Sequence, residues 1–216
     1  MNMETKKVIV LGKGELCVKI CNWLHNHPLY NIHLVVPVIP EPKWTQSLTE
    51  WCSQNQVNHL KTGNNEHIKD NDLKSTDLVI SVFYDKIIKS SFINKCNRII
   101  NLHNAPLPKY RGVSPINWAL KNEEKEHGVT IHEISPGIDD GDILGQVKYS
   151  IYPEFEEVID VYNKSILYGY DLFIKTIPLI DKIVPQKQNE SESSYYSNKE
   201  NNLLKERTNF TKKQSV

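Results

Sequence analysis

The chain reads as an α/β protein with a Rossmann-like, mostly parallel sheet covered by helices on both faces, and three observations predict it. Short apolar runs recur at residues 8–11, 34–39 and 78–83, each long enough for one buried strand and too short for a helix, and a briefer one at 99–100 leads into Asn101-Leu102-His103. Between them lie amphipathic stretches of helical period, and alternation at this spacing builds parallel strands joined by crossover helices. The third observation is size. A chain of 216 residues suits one such domain with a core of its own and a short helical or hairpin appendage. The expected division is a catalytic domain over residues 1–185 and a polar extension over 186–216.

The first element is Lys6-Lys7-Val8-Ile9-Val10-Leu11, an apolar run bounded by charge. Gly12-Lys13-Gly14 then forms a tight turn, and Leu16, Val18, Ile20 and Leu24 mark a helix. A glycine turn at a helix start leaves backbone N–H groups for an anion, so Gly12, Lys13 and Gly14 are candidates for a substrate phosphate. A turn required only for close packing is the equal alternative. Cys17 stands where a dinucleotide fingerprint places its third glycine, which argues against NAD.

A second strand is expected over His33–Pro40, a helix over Thr45–Gln54 and a third strand over Val57–Leu60. A polar surface loop with a short helix fills residues 63–76. Asp77–Tyr84 reads as the fourth strand, and Ile99-Ile100 leads a fifth into Asn101-Leu102-His103. Side chains two apart on a strand leave on one face, so an amide and an imidazole are set side by side. Asn104–Pro115, with three prolines and a glycine, is a shaped loop. A short helix around Ile116–Leu120 follows, then a strand over Val129–Ile134. Pro136-Gly137-Ile138-Asp139-Asp140-Gly141-Asp142 is a glycine-framed acidic loop. Ile143–Tyr152 reads as a strand and Phe155–Ile177 as a long helix, with Phe155, Val158, Ile159, Tyr162, Ile166, Tyr170, Phe173 and Ile177 as its inward stripe. Pro178 and Pro185 bracket a last helical fragment.

Equal numbers of basic and acidic residues, 26 each, leave no net field to draw nucleic acid or an anionic membrane. No secretory leader and no apolar run near ~18–20 residues is present, so a cytoplasmic protein is expected. Four cysteines without C-x-x-C spacing read as reduced thiols, not a metal site.

An amide, an imidazole and a carboxylate suit acyl transfer to an amine. An Asn N–H can stabilise the oxyanion, a His can take the ammonium proton near neutral pH, and a carboxylate can orient that His. Taken singly, each has a plainer reading: Asn101 as a strand-end cap, His103 as a core histidine, the loop acids as solvated turn formers.

Asn101-Leu102-His103, Leu107-Pro108-Lys109-Tyr110-Arg111-Gly112, Trp118, Gly128-Val129-Thr130 and Ile138-Asp139-Asp140-Gly141-Asp142 together resemble the formyltetrahydrofolate-dependent formyltransferase family. That family includes methionyl-tRNA, glycinamide ribonucleotide and nucleotide-sugar formyltransferases. The resemblance implies Asn101 as the oxyanion-stabilising amide, His103 as the proton-transferring base and Asp139 as the orienting carboxylate, with Asp140 and Asp142 as adjacent alternatives. It implies 10-formyltetrahydrofolate as the formyl donor, with Phe83, Tyr84, Ile88, Pro136, Ile138 and Asp139 as folate contacts. Lys109, Tyr110 and Arg111 are candidates for a nucleotide diphosphate, through an Arg fork and a Tyr face, with loop residues tied into the fold as the equal alternative. One departure is visible: the family has a proline and a small hydroxyl residue after the histidine, and this chain has Asn104-Ala105, with Pro106 one place later.

The tail points within the family. Residues 186–216 are too polar and too few for the further β-barrel domain of a methionyl-tRNA formyltransferase. Ser194-Tyr195-Tyr196-Ser197, Asn201-Asn202-Leu203-Leu204 and Arg207-Thr208-Asn209-Phe210-Thr211 resemble the terminal motifs of short sugar-nucleotide formyltransferases. Such a segment suits an extra hairpin or docking in a homodimer. The expected reaction is formylation of a nucleotide-linked amino sugar, most like a dTDP-linked 4-amino-4,6-dideoxyhexose, with glycinamide ribonucleotide, methionyl-tRNA or an inert sugar-nucleotide-binding homologue as the alternatives.

Overall fold

The computed structural model describes residues 5–206. Its elements are β1 (Lys6–Gly12), α1 (Gly14–Asn26), β2 (Tyr30–Pro37), α2 (Leu48–Gln54), α3 (Asp70–Lys74), β3 (Leu78–Val82), α4 (Ser90–Ile93) and β4 (Ile99–His103). Then come β5 (Arg111–Gly112), α5 (Pro115–Lys121), β6 (Glu126–Glu133), β7 (Ile143–Ser150), α6 (Val158–Thr176) and β8 (Tyr195–Tyr196). A six-stranded sheet has the order β2-β1-β3-β4-β6-β7. Its pairs β1–β2, β1–β3 and β3–β4 are parallel and β6–β7 is antiparallel, so the sheet is mixed but mostly parallel. The α/β class expected from the sequence is therefore the one observed.

By packing, the chain falls into two compact units. One runs to Leu102 and includes Glu133–Pro136; the other holds His103–His132 and the described residues from Gly137 onward.

In the first unit the strands form because their residues are β-branched or bulky and buried on both faces. Ile9 and Leu11 of β1 join Val36, Val79 and Ile99 in one cluster with Leu73 of α3 and Phe92 of α4. Val8 and Val10, which point the other way, are also fully buried. Each such side chain contributes roughly 1.5–3 kcal/mol. β1 ends at Gly12 for a steric reason: a Cβ there would lie 2.2 Å from the Val82 carbonyl oxygen. Gly14 opens α1 at φ 75°, a conformation that favours glycine. Close packing thus requires glycine at this turn, whether or not the turn also meets a ligand.

Three expectations for this unit shift. β2 starts at Tyr30 and stops at Pro37. α2 starts at Leu48, because the Ser47 hydroxyl accepts the Glu50 N–H as an N-cap. The third strand expected over Val57–Leu60 reduces to a single bridge between His59 and Val35.

In the second unit β6 and β7 pair antiparallel, but α6 begins later than the apolar stripe suggests. Glu157 and Asp160 form a capping box that sets its start. Phe155, 62% exposed, lies before the helix, and Val158 and Ile159 on its first turn are exposed too. Burial begins at Val161 and continues through Ile166 and Phe173. After α6 a short 3-10 turn, Ile177–Leu179, stands where the last helical fragment was expected. Among the described residues of the extension, β8 pairs in parallel with β5, joining Arg111 to Tyr195 and Gly112 to Tyr196. The motif Asn201–Leu204 lies in a 3-10 stretch, Asn198–Glu206. Arg207–Thr211 lies outside the described residues. Among the described residues, no helix is long and apolar enough to cross a membrane.

Candidate active site

Of the three residues expected to do chemistry, two meet in the second unit. His103 ends β4 and is 7% exposed. Its Nε2 lies 2.9 Å from the Tyr110 carbonyl oxygen. A carbonyl can only accept, so Nε2 carries the proton and Nδ1 is the nitrogen left to take another. Asp139 Oδ2 lies 3.6 Å from that Nδ1. This is an ion-pair separation and not a hydrogen bond, as is common before a substrate tightens such a site.

Asp139 is held on every side. The Gly112 N–H donates to its Oδ2 at 2.8 Å. Its Oδ1 lies 3.6 Å from Nε2 of His132, and the two imidazoles stand edge to face at 6.3 Å. Burial alone pushes this carboxyl up. His103 and His132, with the Gly112 N–H and Arg111, outweigh that and hold it below its ordinary value, so it is ionised at neutral pH. Asp139 also adopts φ 52°, in the left-handed region that Asp tolerates better than most residues.

His132 and Gly112 were not expected here. The signal for His132 was a polar residue two after Thr130 in a fully buried stretch of β6. Gly112 takes part through its backbone N–H, and any non-proline residue type carries that donor.

Asn101 lies on β4 in the first unit, half-buried. In the parallel register it stands opposite Ser81, and Leu102 stands opposite Val82, just before Phe83. Phe83 has φ 55°. The Tyr84 hydroxyl donates to the Gly63 carbonyl at 2.9 Å and accepts the Asn65 N–H, so it ties down that loop. Ile88 packs against the apolar cluster and Pro136 is exposed. In the second unit Ile138 is 45% exposed beside half-buried Asp139.

The residues proposed for a nucleotide divide. Lys13 pairs with Asp85 at 3.0 Å near the surface, and the Glu15 N–H at the start of α1 donates to Thr45 Oγ1. Lys109 is exposed. Tyr110 offers no open ring face: it is 3% exposed, stacks on Tyr196 with planes 10° apart, and donates its hydroxyl to Glu124 at 2.7 Å. The Arg111 guanidinium is engaged as well, with Gln188 and with both carboxylate oxygens of Glu190 at 2.7 and 2.9 Å. These two side chains build the unit where a phosphate contact was expected.

The main chain just after the histidine supports a second imidazole. The Asn104 carbonyl accepts Nε2–H of His127 at 2.9 Å, and His127 is fully buried. Burial lowers this imidazole from 6.5 to about 4. The folded protein therefore keeps His127 neutral, while the unfolded chain takes up a proton below pH 6.5. Stability is expected to fall as pH drops from 6.5 to 4 and to level off below that, by roughly 3 kcal/mol at ~1.4 kcal/mol per pH unit. Urea unfolding across that range checks it, and a His127→Gln variant, which can still donate to Asn104, should lose this part of the slope.

The formyl transferase family pattern matches residues 6–177 of the chain. The chain belongs to that family. A methionyl-tRNA formyltransferase of Finegoldia magna is 30% identical over 199 residues, covering 87% of this chain and 64% of that protein. A second one, from Clostridium tetani, is 38% identical over 126 residues, 57% of this chain and 40% of its own length. The chain thus spans less than two thirds of either relative. Among solved structures, the sugar 3N-formyltransferase WlaRD, crystallised with dTDP and 5-N-formyl-THF, is 28% identical at a TM-score of 0.76, covering 93% of this chain and 72% of that one. An N-formyltransferase from Helicobacter canadensis, in complex with folinic acid and dTDP-3-aminofucose, is 29% identical at a TM-score of 0.75, covering 90% and 71%.

Proposed function

We propose that the chain is a 10-formyltetrahydrofolate-dependent N-formyltransferase acting on the amine of a nucleotide-linked amino sugar in the cytoplasm. The observation that carries this reading is the half-buried Asp139 carboxylate set against Nδ1 of His103. When bound, the folate supplies an activated formyl carbonyl. His103 accepts the amine's proton on Nδ1, because Nε2–H is donated to Tyr110, and returns it to the donor nitrogen as the formyl carbon, now bonded to the amine, breaks from the folate. Asp139 stabilises the imidazolium that results, and the Gly112 N–H keeps Oδ2 aimed at it. Asn101 donates its side-chain N–H to the oxyanion, the type of contact that is often a large part of a rate enhancement.

Phe83, Tyr84, Ile88, Pro136, Ile138 and Asp139 are proposed as the folate contacts, and Gly12, Lys13, Gly14 and Lys109 as contacts to the nucleotide sugar. Tyr110 and Arg111 act through the fold. A dTDP-linked sugar is favoured by the two solved relatives that held dTDP or a dTDP-sugar. The 4-amino-4,6-dideoxyglucose derivative is the first acceptor to test, and 3-amino sugars the second, since both of those relatives are described with the 3-position. The curated relatives favour a second reading, with methionyl-tRNA as acceptor.

Mass spectrometry of reactions holding 10-formyltetrahydrofolate and a panel of acceptors decides between them. The panel comprises dTDP-, UDP- and GDP-amino sugars, glycinamide ribonucleotide and methionyl-tRNA. Gain of one formyl unit on a nucleotide sugar is expected. Gain on methionyl-tRNA alone transfers the reading to the second acceptor, and no gain on any of them leaves an inert binding homologue.

A further inference from the structure

The family pattern ends at residue 177, yet the Asp139 loop is gripped by a side chain beyond it. Gln188 is half-buried in the polar segment that precedes β8. Its Nε2 donates to the Asp139 carbonyl at 2.8 Å and to the Gly141 carbonyl at 2.7 Å. Its Oε1 accepts from Arg111 Nε at 3.1 Å and Nη2 at 2.8 Å. Two donors and two acceptor positions are all an amide has, and here all four are used. The orientation is forced as well. Turned over, the NH2 would face a guanidinium and the oxygen would face two carbonyls.

The consequence is a clamp with two jaws on one residue. Gln188 holds the main chain of Asp139, at a φ of 52° that most side chains avoid. The Gly112 N–H holds its carboxylate. Both jaws close on the same dipeptide, since Arg111 carries Gln188 and Gly112 follows it. Pairing of β5 with β8 fixes that dipeptide from the C-terminal side.

We infer that Gln188 is a positioning residue for the transfer reaction, holding Asp139 in line with His103 from a segment outside the family's matched core. The inference rests on the proposed role of Asp139. A carboxylate displaced by about 1 Å from the group it serves can cost on the order of 100-fold in rate without altering how substrates bind.

Gln188→Glu is the informative change, because a carboxylate keeps the partner for Arg111 and loses both donors to the loop. In the full chain, kcat for formyl transfer is expected to fall about 10- to 100-fold, with KM for donor and acceptor within about twofold. Amide hydrogen exchange of peptides spanning 137–142 should speed up in the same variant. If Gln188→Glu does not fold, Gln188→Leu, neutral and similar in size, carries the same two measurements. A folded variant with kcat within about twofold of the parent overturns the inference, and so does unchanged exchange in the loop. A parent protein that formylates no acceptor counts against the proposed function instead, and the exchange measurement still decides whether Gln188 holds the loop.

Discussion

His103→Gln is expected to lower kcat by about 10²- to 10⁴-fold, the usual worth of a positioned general base. Gln is the apt replacement because its amide can still donate to the Tyr110 carbonyl, the partner of Nε2. His103→Ala would leave that buried carbonyl short of a donor, at about 1–3 kcal/mol, and confuse folding with chemistry. The glutamine has no atom that takes a proton at neutral pH, so the loss should fall on kcat and leave KM for the folate donor nearly unchanged. Steady-state formyl transfer, with circular dichroism to confirm the fold, measures it. Turnover near that of the parent would remove His103 as the proton acceptor and with it the proposed mechanism.

Features carried by one local stretch of sequence were legible, and those needing distant partners were not. β1, β3 and β4 each announce themselves as an apolar run closed by polar residues, and all three are buried strands in the parallel part of the sheet. β6 was visible for the same reason, and β7 as a strand-like run that is only partly buried. The start of α6 was misplaced because periodicity reports which side chains are apolar. The capping box of Glu157 and Asp160 decides where the backbone turns, and it leaves Phe155 outside the helix. Val57–Leu60 has strand-like residues, yet only His59 finds a bridge to Val35.

The reading of Arg111 and Tyr110 departs for a physical reason of another kind. A guanidinium and a phenol look identical in sequence whether they face a ligand or an internal partner. Glu190, 79 residues along the chain, and Tyr196 turn both inward. Gln188 was invisible on the same ground, because its targets are two main-chain carbonyls 47 and 49 residues away. His132 was accessible in principle, as an imidazole inside a wholly buried run of β6 has to find a polar partner.

Asp139→Asn should cost about 10²- to 10³-fold in kcat, comparable to removing one well-aimed group from a catalytic site. The amide keeps the volume of the side chain, and its oxygen can still accept the Gly112 N–H. It lacks the charge that makes protonation of His103 favourable, and an N–H turned toward His103 Nδ1 would occupy the lone pair that must receive the proton. Stability should respond differently. A buried carboxylate is expensive to desolvate, and one shared by two imidazoles contributes little net stability, so the neutral variant is expected to unfold at the same urea concentration as the parent or higher at pH 7. The sign of the pH dependence follows from the depressed value of Asp139 in the fold. Its favourable contribution is complete above the carboxylate's unfolded range, near ~3.9, and is lost as pH falls through the lower folded value. Relative to Asp139→Asn, the parent should therefore lose stability only in that acid window, below the one assigned to His127. Loss of turnover together with stability that holds at pH 7 would place Asp139 in the chemistry. A variant that unfolds easily and retains its turnover when folded would make Asp139 a structural anchor for β5 and nothing more.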